Sequence, residues 1–190
     1  MFGVSVGIMD GAGGAAGGSF ESIQTISGTG SSLSFTSIPS TYKHLQIRGL
    51  YKDTSTTDYG FGVNLLGRAN AITSGYTKHN LYGNGSSALA TGGTNEGYIN
   101  FGGCYMSSGA SYTNMFSAII IDIQDYVSTT NNKTIRYLTG NDANQASTNR
   151  TISLGSNLIQ STAAITSFTL YPADSGFATG TVFSLYGIKG

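Results

Sequence analysis

Few side chains in this sequence have the chemistry of a catalytic site, and they are widely spaced. His44 and His79 are the two histidines, the residues that titrate near neutral pH. Neither lies in a motif that would orient it towards a nucleophile, so we expect both on the surface or at strand edges. Asp122 and Asp125 are three residues apart, and on an extended chain their carboxylates point to opposite faces. We therefore predict no catalytic residues and no enzyme activity.

Cofactor and metal motifs are equally weak. Residues 11–16 match the loose G-x-G-x-x-G/A pattern of dinucleotide-binding loops. That motif requires a helix to open at its third small residue, whereas residues 19–34 have the composition of strands and turns. Cys104 is the single cysteine, which excludes an intrachain disulfide or thiolate metal cluster, and the nine acidic residues are scattered. We predict no cofactor and no metal.

The composition indicates a folded, electrically neutral domain. Of the 190 residues, 28 are Gly and only 9% are charged, with nine basic and nine acidic side chains. The 12 Tyr and 9 Phe argue against disorder. Neither a cluster of basic residues nor an apolar segment of about 18 residues is present, so we predict neither a nucleic-acid nor a membrane partner.

Apolar side chains alternate with polar ones in short segments separated by Gly, Asn, Ser and Thr, while helical periodicity is nearly absent. This pattern predicts an all-β fold, an antiparallel β-sandwich of jelly-roll type, although a barrel would share the alternation. Residues 116–123 are apolar on both faces, which predicts a central strand covered on both sides. The predicted strands are residues 32–37, 44–51, 60–66, 97–101, 114–124, 133–139, 151–154, 164–171 and 181–189.

The N-terminal segment differs from the rest of the chain. Residues 11–18 are only Gly and Ala, which predicts a flexible joint. The nine residues before it contain more apolar side chains than an isolated segment could bury. We therefore divide the chain into an anchoring arm with its joint, residues 1–18, and a sandwich domain, residues 19–190. The predicted particle-anchoring side chains are Phe2, Val4, Val6, Ile8 and Met9.

Many tyrosines fall in or beside segments rich in Gly, Ser and Asn, a composition typical of adaptable recognition surfaces. Their rings could stack on a sugar or on a neighbouring subunit. Tyr51, Tyr98 and Tyr126 belong to this group. The candidate recognition residues are Tyr59, Tyr76, Tyr82, Tyr105 and Tyr112.

Several sequence blocks together resemble a family of small virion proteins of tailed bacteriophages that infect aquatic bacteria. The longest are residues 35–39, FTSIP, and 41–48, TYKHLQIR. The others are residues 5–9 (SVGIM), 81–86 (LYGNGS), 121–126 (IDIQDY), 133–136 (KTIR) and 183–189 (FSLYGIK). The resemblance covers both the arm and the sandwich.

The resemblance implies a non-enzymatic virion component, assembled in the host cytoplasm, whose partners are other virion proteins. In the favoured interpretation it is a capsid decoration protein, a homo-oligomer with a trimer favoured, attached through its arm. In the alternative it is a tail fibre or baseplate appendage that contacts host surface polysaccharide. A secreted carbohydrate-active enzyme or free lectin is a third possibility, but the sequence contains neither the acid pair nor the signal peptide expected of one.

Overall fold

The alternating segments form twelve antiparallel strands in the computed structural model, which describes residues 18–55, 64–105, 114–142 and 151–190. Within these ranges there is no helix. The anchoring arm, with Phe2, Val4, Val6, Ile8 and Met9, lies outside the described residues, as do Tyr59 and Tyr112. The strands are β1 (Phe20–Ser27), β2 (Leu33–Phe35), β3 (His44–Tyr51), β4 (Asn64–Ala69), β5 (Tyr76–Gly83), β6 (Ala88–Glu96), β7 (Ile99–Tyr105), β8 (Ser117–Ile123), β9 (Lys133–Asn141), β10 (Thr151–Ile159), β11 (Phe168–Pro172) and β12 (Val182–Ile188).

The strands form two sheets, which confirms the predicted sandwich. One sheet has the order β1-β12-β3-β8-β9-β10-β5-β6 and the other β2-β11-β4-β7. Without β5, β6, β9 and β10, the two sheets are β1-β12-β3-β8 and β2-β11-β4-β7, the arrangement of an eight-stranded jelly roll. The chain inserts β5 and β6 between β4 and β7, and β9 and β10 between β8 and β11. These four strands extend the first sheet beyond β8 to eight strands.

The core lies between the two sheets and is built from the inward side chains of alternating positions. Large residues such as Leu45, Ile121 and Phe168 are fully buried in it. The inserted strands also pack inwards: the ring of Tyr137 in β9 meets Phe101 edge to face, with centroids 5.3 Å apart. Gly155 in β10 is required there, because a Cβ at this position would lie 2.3 Å from Cε1 of Tyr137.

The structure corrects the prediction that residues 116–123 form a strand covered on both faces. Strand β8 is central in its sheet, and Ile119, Ile121 and Ile123 are buried on its inner face. Ala118 and Ile120 point outwards, and Ile120 is 37% exposed. The described residues supply no third layer over that face, so the apolar pattern of β8 exceeds what the core of one chain uses.

Candidate interaction surface

The outer face of the extended sheet carries large apolar side chains. Six aliphatic residues on strands β3, β5, β8, β9 and β10 are 37–61% exposed. We call them the apolar face: Leu50, Leu81, Ile120, Leu138, Ile152 and Leu154. Four of the six lie on the inserted strands, so the extension of the jelly roll is what creates this surface.

The strand register aligns four of these residues in a row across neighbouring strands. Ile120 lies opposite Leu138, Leu138 opposite Leu154, and Leu154 opposite Leu81. Side chains directly opposite each other on antiparallel strands have Cβ atoms about 5 Å apart, so these four are in lateral contact. We call Ile120, Leu138, Leu154 and Leu81 the large row.

A second row runs parallel to the first, two residues further along each strand, which is about 7 Å away. It contains, in order, Leu50, Ala118, Gly140, Ile152 and Gly83. Three of the five are Ala or Gly, and we call this the small row. A shallow depression of about 390 Å³ lies over the Ala118 and Gly140 positions, with aliphatic walls from the large row.

Polar residues border the large row on its other side. Gln46, Asp122, Arg136, Ser156 and His79 are aligned across five strands in the same way. The Nε2 amide of Gln46 donates a hydrogen bond of 2.8 Å to Oδ1 of Asp122. The apolar face therefore has a polar rim, as the central patches of protein–protein interfaces do.

The end of the sheet nearer β1 has a different surface. The guanidinium of Arg48 lies 5.6 Å from the centroid of the Phe20 ring and 5.9 Å from that of Tyr186, and these two rings stack on each other. Nε of Arg48 also donates to Oε1 of Gln46 at 2.8 Å. The Arg48 guanidinium is thus already held by groups of its own chain, and this cation–π cluster limits the apolar face to the part of the sheet from β3 to β5.

Monomeric proteins rarely expose a contiguous apolar patch of this kind unless it has a partner. The exposed fractions of the six side chains amount to about three whole aliphatic residues, and burying them completely would contribute about 5 to 9 kcal/mol. A strand that faces solvent on one side normally presents polar residues there. The apolar face is therefore the strongest candidate for a functional surface among the described residues.

The structure places Tyr76, predicted as a recognition residue, in the core. Its ring is fully buried in β5, its hydroxyl donates to the Ile72 carbonyl at 3.1 Å, and the Ala69 N–H donates to that hydroxyl at 3.2 Å. The prediction is wrong for this residue, because its position in β5 points inwards and burial in a β-sandwich outweighs a loop-like local composition. Tyr51 and Tyr126 are buried as well.

The remaining candidates are only partly described. Tyr82 is half-buried near the end of β5 and points to the side of the sheet opposite the apolar face. Tyr105 is the last residue of β7. The role of Tyr82, Tyr105, Tyr59 and Tyr112 in recognition stays a prediction.

Two buried ionisable side chains have structural roles. The ammonium of Lys133 donates to four backbone carbonyls, those of residues 128, 131, 161 and 162, and burial lowers its pKa. Asp53 is almost fully buried, and burial raises the pKa of its carboxyl to about 6. Its Oδ2 accepts a hydrogen bond from the Ser175 hydroxyl at 3.3 Å.

The two histidines do not form a site with these groups. His44 is the first residue of β3, and its Nδ1 accepts a hydrogen bond from the Asp125 backbone N–H at 3.0 Å. His79 is exposed on the polar rim. Among the described residues, no group of three or more His, Cys, Asp or Glu side chains is arranged to hold a metal ion.

No protein-family model, curated protein or solved structure matches this chain. In the four described ranges, no helix has the length and apolar character needed to cross a membrane.

The residues of the apolar face were not among the predicted site residues. The sequence did contain a signal for this face: the alternation in three predicted strands places Ile120, Leu138 and Leu154 on the polar, outward side. The interpretation of β8 as a strand covered on both faces obscured it.

Proposed function

We propose that this chain is a non-enzymatic structural subunit of a phage particle, and that the apolar face is a contact surface in that assembly. The observation that carries the proposal is the row of large aliphatic side chains on the extended sheet, Ile120, Leu138, Leu154 and Leu81. A subunit gains stability when a neighbour covers this row, because apolar side chains leave water.

The resemblance to small virion proteins supports the particle as the setting. Within the particle, the favoured role is capsid decoration, in which the sandwich adds buried apolar area between subunits and residues 1–18 attach it to the shell. The neutral chain, with nine basic and nine acidic residues, suits close packing of many copies because the copies do not repel one another. Attachment at the tail, with host polysaccharide as the ligand, is the alternative position.

The deciding measurement is the copy number of the protein in purified particles, by quantitative mass spectrometry against the major capsid protein. Hundreds of copies per particle are expected for decoration. A few to a few dozen copies would move the protein to the tail. Absence from purified particles would overturn the proposal.

A further inference from the structure

We infer that the apolar face packs against the same face of a second copy of this chain, related by a two-fold axis that runs across the strands between the large row and the small row. The inference rests on the proposed structural role and names the partner of that surface.

The size of the sheet suits such a pairing. The five strands from β3 to β5 that carry the apolar face are spaced about 4.8 Å apart and have about seven to nine residues each, which gives a face of about 24 by 25 Å, or about 600 Å². Specific interfaces bury about 1,200 to 2,000 Å² in total, which is about 600 Å² or more from each partner. The apolar face therefore reaches the lower end of the size range of a dimer interface.

The two rows are complementary to each other under this symmetry. With a two-fold axis between the rows, each strand lies over the same strand of the other copy. Each residue of the small row then faces the residue two positions along that strand, which belongs to the row of large side chains. Ala118 then faces Ile120, Gly140 faces Leu138, and Gly83 faces Leu81. Each small residue receives a large side chain of the second copy, which is the close interdigitation of packed sheets.

Strand β3 is one exception, since Leu50 faces Arg48, and strand β10 is the other, because Ile152 faces Leu154 and both are large. These two side chains from each copy form the thickest part of the interface. They set the separation of the sheets near the usual spacing of about 10 Å.

The charges favour a second copy over an unrelated partner. The same axis places Arg136, on the polar rim, opposite Asp142, which follows β9 on the far side of the small row. The symmetry gives two such pairs, one at each edge of the interface, and each pair takes one residue from each copy. A basic or acidic partner would instead require a face with an excess of one charge.

The first test is sedimentation of the full chain over a range of concentrations. We expect a dimer that Leu138→Asp weakens about a hundredfold or more, because a carboxylate would be buried at two symmetric positions. Leu89→Asp is the matched control. Leu89 is 43% exposed on β6, the edge strand beside β5, and its register with Tyr82 places it on the side of the sheet opposite the apolar face. The control should dimerise normally, and circular dichroism should show both variants folded.

The second test addresses the register. Ala118→Leu adds apolar area, so a nonspecific apolar contact would become tighter. In the proposed packing it fills the space needed by Ile120 of the other copy and weakens the dimer about tenfold or more. Ile120→Ala in the same chain should restore it.

Three results would overturn the inference: a trimer by mass, tighter association of Ala118→Leu, or a wild-type chain that stays monomeric. A monomeric chain whose Leu138→Asp variant no longer enters particles would leave the proposed function standing, with another virion protein on the apolar face. A dimer that is absent from particles would leave this inference standing and remove the proposed function.

Discussion

The contribution of Asp53 to the free energy of unfolding should fall as the pH rises from about 4 to 7. Burial raises the pKa of this carboxyl from 3.8 to about 6, nearby Asp174 raises it further, and Ser175, Ser55 and Lys52 partly oppose the shift. The folded protein therefore retains a proton on Asp53 in a pH range where the unfolded chain has lost it. Below about pH 4 both states are protonated and the full stability is present; above about pH 6 it is lost.

The magnitude follows from the size of the shift. A pKa that moves from 3.8 to about 6 corresponds to about 3 kcal/mol between the two plateaus, as an order of magnitude. Other groups act in the opposite direction. Glu21, whose pKa is lowered by Lys189 and Tyr42, and Asp125, whose pKa is lowered by Lys43, favour the folded state as they ionise. The dependence on Asp53 must therefore be measured as a difference.

The assay is urea denaturation of the wild type and Asp53→Asn at fixed protein concentration between pH 4 and 8. The asparagine has the shape of the protonated acid but does not titrate, and the contributions of Glu21 and Asp125 cancel on subtraction. We expect the wild type to lose about 2 to 3 kcal/mol relative to Asp53→Asn between pH 4 and 7. A difference that stays constant across this range would show that Asp53 is ionised in the folded state, and the argument from burial would be wrong.

Three further predictions concern packing and the arm. Gly155→Ala should destabilise the domain by about 1 to 3 kcal/mol in urea denaturation, since its Cβ would meet the Tyr137 ring. Tyr137→Leu in the same chain should recover part of this loss. If the destabilising effects of the two substitutions simply add, the two residues are not in contact. Lys133→Met should cost about 2 to 3 kcal/mol, because the partly buried carbonyls around the ammonium lose their donor. Lys189→Met on the surface should change the melting temperature little, and equal effects of the two substitutions would refute the role of Lys133. Deleting residues 1–18 should leave the circular dichroism spectrum of a folded domain that no longer joins the particle, because β1 begins at residue 20. Full incorporation of the truncated chain would exclude the arm as the anchor.

Much of the fold was predictable because strand formation has a local signature. The alternation in residues 44–51, 133–139 and 181–189 predicts β3, β9 and β12 closely. Strands β1, β5 and β6 were not among the predicted strands. The nine residues of β6, ALATGGTNE, alternate weakly, and as an edge strand β6 is almost entirely exposed. Its position is determined by backbone pairing with β5, which local composition does not report.

By itself, the sequence determined the all-β class, the neutral surface and the apolar character of both faces of β8, since each depends on residue types and near-neighbour spacing. Only the tertiary structure decided which apolar residues are left uncovered and which lie side by side. Leu81 and Leu154 are far apart in the chain and adjacent in the sheet, because long-range strand pairing sets the register. The same pairing buries Tyr76 and exposes Leu138. The candidate site is therefore a product of topology, assembled from residues that are individually ordinary strand residues.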